Sequence, residues 1–288
     1  MCNPPFEATV RPRRFTATLP DTTPRHWCDE NPVVTHLLNC YTLLIPGNEG
    51  YYIRTLRRVL PQLPESMRGL VTRFCLQEGQ HGSGHLRHQT LLENQGYRIR
   101  GFQRRTDAFL YKFVERLTPF KVRLAIVACV EHLNAYLGHE FLSQRILEDA
   151  DPALRALFEW HFAEEIEHKH VAYDVLQATA PSYPLRVTGA LLAMPLFYLL
   201  VTTGMLNLLR QDKLLGQRRT WRLLREHLFS GHHMARRSLG HLRDYLRPGF
   251  HPWQLRDYEL AQAVLTRYGS GEAALLQPFE RSAPDQNN

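Results

Sequence analysis

The chain has 288 residues, 44% of them hydrophobic and 22% charged, the make-up of a folded globular protein rather than a disordered or fibrous one. Its five cysteines (Cys2, Cys28, Cys40, Cys75 and Cys129) are scattered, with no Cys-x-x-Cys pair. That argues against a disulfide framework or a zinc ribbon and fits a reducing cytoplasm. The net charge of +7 is local: between Arg210 and Arg247 ten Lys or Arg stand against three acids. A basic run behind an apolar segment points to an anionic membrane surface rather than to nucleic acid.

Residues 1–30 are rich in Pro, Arg and Thr without periodicity, and read as an extended arm packed on the body. No apolar run marks a secretory signal there. A helical pattern begins at Pro32, and Pro46-Gly47 is expected to interrupt it. The next helix would run from about Asn48 to Leu60, stopped by Pro61 and Pro64. A long helix follows from about Glu65 to Asn94, closed by Gly96. Gly79, Gly82 and Gly84 sit inside it, each costing about 1 kcal/mol relative to Ala. They imply close helix packing or a bulge beside a site, with a loop as the competing reading.

Asp107 to Thr118 reads as a short helix. Pro119 opens a long one to about Leu147, with Glu131 after an unbroken apolar run. No Lys or Arg lies between Arg123 and Arg145 to pair with it. Buried carboxylates are seldom left unpaired, so Glu131 reads as a ligand. Asp149-Ala150-Asp151-Pro152 starts the next helix with an acidic N-cap and Pro at the first position, and that helix is expected to reach about Ala178. It carries Trp160-His161-Phe162-Ala163-Glu164-Glu165-Ile166-Glu167-His168-Lys169-His170. Residues three and four apart share a helix face, so His161, Glu165 and His168 form one stripe, as a metal held between helices requires. A solvated polar face is the bland alternative.

Val187 to Leu209 is uncharged over 23 positions, long enough to span a bilayer. A single span would place the basic run and the metal helices on opposite sides, and the positive-inside rule would keep the basic run cytoplasmic and push the helices outside; the missing signal and the free cysteines argue against that. A segment buried in the fold, or dipping into one leaflet around Pro195, is the preferred reading. Trp221 to Leu246 reads as a basic amphipathic helix, with His227, His232, His233 and His241 on a solvated or lipid-facing surface or in a second metal cluster. From Ser270 the chain is small and polar and is expected to fray.

In helix order the chain presents Glu49, then Glu78-x-x-His81, then Glu131, then Glu165-x-x-His168. Carboxylate-bridged dinuclear sites take one Glu from each of two helices and Glu-x-x-His from two others. Chance alone would supply about one Glu-x-x-His in this composition; the informative feature is the alternating order, each item on its own helix. Glu167-x-x-His170 overlaps the last pair, and His161 decides against it because it shares a face with Glu165. The fold expected is all-α: a ferritin-like four-helix bundle over residues 31–180, additional C-terminal helices over 181–268, and a flexible tail over 269–288.

The candidate metal ligands are Glu49, Glu78, His81, Glu131, His161, Glu165 and His168. Carboxylates and imidazoles without thiolate suit two iron ions, with manganese or zinc as alternatives. The four carboxylates carry a charge that two divalent ions neutralise. His85 and His132 are candidates for orienting ligands, and Glu164 or His85 for a catalytic base.

These pieces resemble a bacterial family catalogued as predicted metal-dependent hydrolases with a ferritin-like fold. The likeness rests on Pro46-Gly47-Asn48-Glu49, Gln77-Glu78 with His81 and His85, Glu131-His132, and Trp160-His161 through Lys169, and covers roughly residues 15–260. The family's Pro-x-Gly-Glu is altered around Asn48, and Gly79 stands where a bulkier residue is usual. The spacing at 161, 165 and 168 is also similar to that of diiron arylamine N-oxygenases, whose extra histidine holds one iron. That analogy implies the same seven ligands.

The function expected is an O2-dependent diiron oxidase or oxygenase, with a metal-dependent hydrolase as first alternative and a non-catalytic iron-binding protein as second. Its partners would be a hydrophobic or lipid-like substrate, an electron-donor protein or other reductant if it activates O2, and a peripheral contact with the inner membrane from the cytoplasm. Nucleic acid is not among them, and a homodimer is left open.

Overall fold

A computed structural model of the protein describes residues 10–270 and 274–279. Cys2 and parts of the expected arm and tail lie outside the described residues. The architecture is all-α, with one two-stranded sheet.

Asn31 caps α1 (Pro32–Val59): its side chain accepts from the amides of Val33 and Val34 at 3.0 and 3.3 Å, and Pro32 sits where a missing N–H is harmless. The expected break at Pro46-Gly47 does not occur, since α1 runs through Pro46. Proline removes the N–H that would satisfy the carbonyl four residues back. Here that carbonyl, on Thr42, accepts from Gln89 Nε2 at 2.9 Å, so the neighbouring helix repairs the defect and Glu49 stays on one long helix.

Gln89 belongs to α2 (Glu65–Asn94), which takes its glycines without a loop. A Cβ on Gly82 would lie 2.8 Å from Glu49 Oε2, and one on Gly84 would lie 3.0 Å from Leu157; one on Gly79 would meet nothing within 4 Å. Two of the three glycines therefore serve close approach.

The short helix expected from Asp107 begins earlier, as α3 (Arg100–Asp107), widens to a π-helical stretch over Ala108–Val114 and ends as α4 (Glu115–Leu117). Next come α5 (Phe120–Ser143) and α6 (Pro152–His168), the latter capped by Asp151 through the amides of Ala153 and Leu154. The helix expected to run on to Ala178 breaks at Lys169-His170 and resumes as α7 (Val171–Thr179). At the break the Glu167 carbonyl accepts from the Tyr258 hydroxyl at 2.6 Å, and Lys169 Nζ donates to Leu255 and Asp257. Tertiary partners replace the helical ones.

α1 packs on α2 and α5 on α6, and the two pairs meet through α1–α5 and α2–α6. The uncharged segment lies within α8 (Tyr183–Gln211), which packs on α1 and α5. A Cβ on Gly189 would lie 2.6 Å from the Ala125 backbone, so only glycine permits this approach. By length and composition α8 could cross a membrane, but 44% of its most apolar window is buried inside the fold.

The single basic helix expected over Trp221–Leu246 is two: α9 (Arg218–Arg225), which widens over Glu226–Ser230, and α10 (Met234–Tyr245), joined through His233 in the left-handed region (φ 51°). His227 is buried rather than solvated, and no metal-like cluster includes the four histidines of this region among the described residues. Finally, α11 (Tyr258–Gly269) covers α6.

Among the described residues, the expected arm and the expected tail each contribute one short strand. β1 (Arg13–Phe15) pairs antiparallel with β2 (Leu276–Pro278), Arg14 opposite Gln277. Phe15 stacks on Trp160 at 5.4 Å. A carboxylate at the end of α8 fastens the arm elsewhere: Asp212 accepts from Arg25 Nε, His26 Nε2, His36 Nε2 and the Tyr97 hydroxyl, each at 2.8 Å.

Candidate metal centre

Each of four helices sends donors into one dry space: Glu49 from α1, Glu78 and His81 from α2, Glu131 from α5, and His161, Glu165 and His168 from α6. All seven side chains are buried. They form three overlapping triplets, Glu49–His81–His161, Glu78–His81–Glu165 and Glu78–Glu131–His168, and within each the donor atoms lie within 4.8 Å of one another.

Glu165 links the two ends. Its Oε1 lies 2.8 Å from His161 Nε2 and 3.7 Å from His81 Nδ1, and its Oε2 lies 3.1 Å from His168 Nε2. Glu78 Oε1 likewise sits 3.8 Å from His81 Nδ1 and 3.3 Å from His168 Nε2. Glu49 stands only at the His81 end, 3.8 Å from Nδ1, and Glu131 only at the His168 end, 3.3 Å from Nε2. Two carboxylates between two imidazole ends, with one further carboxylate at each end, is the layout of a two-ion centre.

The chemistry of the donors fits cations. Both oxygens of Glu49, Glu78 and Glu131, and Nδ1 of His81, are buried without a hydrogen-bond partner among the described residues. Unpaired buried carboxylates are expensive unless a cation pairs them. Burial and the neighbouring carboxylates push Glu49 and Glu78 well above the usual carboxylate range. Burial, then Glu165, lifts Glu131 to about 7. Burial works against ionisation of Glu165 and His168 too, yet each holds the other charged: Glu165 falls below its ordinary value and His168 rises above its own.

The imidazoles are fixed from behind, as metal-bound histidines are. His81 Nε2 lies 2.9 Å from Glu164 Oε2, and Glu164 Oε1 accepts from Arg13 Nη1 at 2.8 Å. His168 Nδ1 donates to Gln77 Oε1 at 3.1 Å, and Gln77 Nε2 donates to Glu167 at 2.7 Å. His161 Nδ1 meets His85 Nε2 at 2.8 Å, and Thr42 Oγ1 joins His85 Nδ1 to His88 Nδ1, each at 2.9 Å. If His161 Nε2 keeps its lone pair for a cation, Nδ1–H donates to His85. His85 then donates through Nδ1 to Thr42, which donates to His88.

Glu164, considered above as a base, spends both oxygens on Arg13 and His81 and orients a ligand instead. Burial pushes its carboxyl up to about 8 while Arg13 pulls it down. Two donors at hydrogen-bonding distance favour the carboxylate. His85 orients His161.

His132 is not brought to the centre, a correction to the sequence reading. One residue beyond Glu131 it turns to the other face of α5, stacked on Tyr245 at 4.9 Å and against Phe250. The overlapping Glu167-x-x-His170 also points elsewhere. Glu167 binds Arg13 and Gln77, and His170 packs on Trp253.

Sequence reasoning missed Arg13, Gln77, Thr42 and Glu167 as orienting groups. Gln77, a polar residue one turn before His81 on a buried face, carried the clearest signal. A fourth metal-like triplet, His26–His36–Asp212, is a hydrogen-bonded junction. Asp212 already accepts from four donors, Arg25 among them, which leaves no charge for a metal.

Residues 11–256 match the family described as predicted metal-dependent hydrolases. The chain belongs to that family. The match spans all seven donors and Arg13, so the buried Glu and His cluster sits in a protein of a metal-dependent enzyme family. No curated protein and no solved structure matches the chain.

Proposed function

We propose that the protein is a metal-dependent hydrolase that works from a dinuclear centre in a ferritin-like bundle and acts on an apolar substrate. Membership in the hydrolase family supports the reaction class. The observation that carries the two-ion reading is Glu165, whose two oxygens face different imidazole ends. Two divalent ions bound there would supply Lewis acidity and lower the pKa of water toward neutrality.

The chain's own residues do the rest. Glu49, Glu78, Glu131 and Glu165 provide the charge that retains two cations. Glu164, Gln77 and His85 hold three imidazoles in fixed tautomer and direction. Arg13 is shared between Glu164 and Glu167 behind the ligands, and Phe15 on Trp160 closes that side against water. With Glu164 fully hydrogen-bonded, no free base stands among the orienting groups, so proton removal from water falls to the unpartnered carboxylates of the centre.

One observation favours the O2-dependent diiron oxidase or oxygenase as a second reading. The donor set is four carboxylates and three imidazoles with no cysteine among them, which suits iron or manganese. That reading needs a reductant or an electron-donor protein.

The test is to load metal-free protein separately with zinc, manganese and iron(II), then assay each form with a panel of 4-nitrophenyl esters and for O2 uptake with a reductant. Ester cleavage by the zinc or manganese form, lost in Glu131→Ala, supports the proposal. Reductant-dependent O2 uptake confined to the iron form would overturn it in favour of the second reading. Metal retention with neither activity would leave an iron-binding protein.

A further inference from the structure

A cavity of about 200 Å³ opens between α1, the π-helical stretch 108–114, α5 and α8. Its walls include Leu44, Ile126, Val130, Leu196 and Phe197. One lining residue ties it to the centre: Tyr52 follows Glu49 by three residues, on the same face of α1. Burial, and next the charge of Glu131, raise the Tyr52 hydroxyl well above its ordinary value, which places that hydroxyl in the field of the centre.

The polar groups of the lining are almost all occupied. The Tyr111 hydroxyl donates to Asn48 at 2.6 Å, the Tyr51 hydroxyl to the Arg123 carbonyl at 3.4 Å, and the Thr118 hydroxyl to the Val114 carbonyl at 2.7 Å. Glu115 accepts from Arg54 at 2.8 Å and lies 3.6 Å from Arg123. The exception is Tyr52. It is 1% exposed, and its hydroxyl has no partner among the described residues. An unmade hydrogen bond at a buried group carries a desolvation penalty, and an acceptor in the cavity would remove it.

We propose that this cavity is the substrate chamber of the metal centre. It takes a small neutral molecule, an arene or short alkyl chain with one hydrogen-bond acceptor, and Tyr52 binds that acceptor and turns it toward Glu49 and Glu131. The proposal rests on the reading of the seven donors as a metal centre. Size supports the class: an apolar cavity of about 150 Å³ holds benzene, so this one holds a substituted benzene. Charge supports it as well. No Lys, Arg or His lines the cavity, which argues against phosphate esters and other anions, and the lone acid, Glu115, is already paired. Leu192 lines the cavity and is 50% exposed on α8, giving an apolar ligand a way in along that helix.

The test is calorimetric titration of manganese-loaded protein with acetophenone, which has an acceptor, and with ethylbenzene, which matches it in shape and lacks one. Wild type should bind both, acetophenone more tightly. Tyr52→Phe should weaken acetophenone binding roughly five- to tenfold, the effect of one lost hydrogen bond, and leave ethylbenzene unchanged. Ala193→Phe and Leu196→Trp, which fill the cavity from α8, should abolish both at unchanged metal content.

Manganese should broaden the NMR signals of bound acetophenone in wild type. Glu131→Ala, stripped of metal, should bind ethylbenzene as before without broadening. That outcome separates the chamber from the metal reading. Binding that survives both filling variants, equal weakening of the two ligands by Tyr52→Phe, or no broadening in metal-loaded wild type would overturn the proposal.

Discussion

On the α2–α6 side of the centre every imidazole is tied from behind: His81 to Glu164 and Arg13, His168 to Gln77 and Glu167, His161 to His85 and Thr42. On the α1–α5 side Glu49 and Glu131 have no hydrogen-bond partner among the described residues, and the same two helices help line an apolar cavity. Behind its imidazoles the tied side needs no ligand, because the orienting groups are hydrogen-bonded within the chain, while Glu78 and His81 Nδ1 still face the centre without a partner among the described residues. The other side is under electrostatic strain until cations arrive, since carboxylates crowded in a dry pocket repel one another and have lost their water. On the proposed reading, metal uptake and stability would be coupled through α1 and α5, and substrate would approach from the side where the chain leaves Glu49 and Glu131 without partners.

Substitutions on the two sides should differ in kind. Glu131→Leu removes a buried carboxylate that has no hydrogen-bond partner among the described residues. We expect it to abolish most metal binding and all activity, to leave helix content by circular dichroism unchanged, and to raise the melting temperature of the metal-free protein. A fall in that temperature would mean the carboxylate has partners within the chain.

Arg13→Ala works on the tied side and leaves Glu164 and Glu167 buried without their cation. Breaking a buried pair by deleting one partner is costly, so a loss of about 3 kcal/mol is expected in denaturant unfolding, in metal-free and metal-loaded protein alike.

Asp212→Asn, remote from the metal, serves as the control for a paired network. A loss of about 2 kcal/mol is expected at pH 7. Burial alone would raise the Asp212 carboxyl, but His26, His36 and Tyr97 hold it well below the usual range. A depressed carboxyl stabilises the fold above its unfolded value near 3.9 and loses that contribution as pH falls toward the folded value. The gap between wild type and variant should therefore be full above about pH 5 and shrink below about pH 4. A gap independent of pH would break the assignment.

The smallest effects separate two glycines one turn apart. Gly82→Ala would press on Glu49 Oε2 and should lower metal affinity about tenfold, as disturbing a ligand's surroundings does, with the fold intact. Gly79→Ala meets open space and should stabilise by up to about 1 kcal/mol without touching metal binding. Equal effects at both positions would show that the carboxylate does not rest on α2.

The seven donors were legible in the sequence because their meeting is a local matter. Residues three and four apart share a helix face whatever the tertiary structure, and a polar residue inside an apolar run announces a buried function, as Glu131 does. The groups behind the donors were not legible. Arg13 reaches Glu164 across 151 positions and Gln77 reaches Glu167 across 90, and no spacing rule connects them.

The same limit explains the misread helix ends. Proline at 46 breaks an isolated helix, and only the fold supplies the Gln89 amide that repairs it. Lys169-His170 looks helical, and only the fold supplies Tyr258 and Asp257 to open it. His132 was misplaced for a simpler reason: its neighbour Glu131 faces the centre, and one residue on a helix turns the side chain about 100° away.

The central claim is that two ions share the four carboxylates. Elemental analysis of metal-loaded wild type beside Glu49→Ala and Glu165→Ala tests it most directly. The account predicts about two ions per chain in wild type, about one in Glu49→Ala, where only the His81 end loses a carboxylate, and fewer than one in Glu165→Ala, where both ends lose their shared oxygen donor. One ion or none in wild type, or full occupancy in Glu165→Ala, would contradict it.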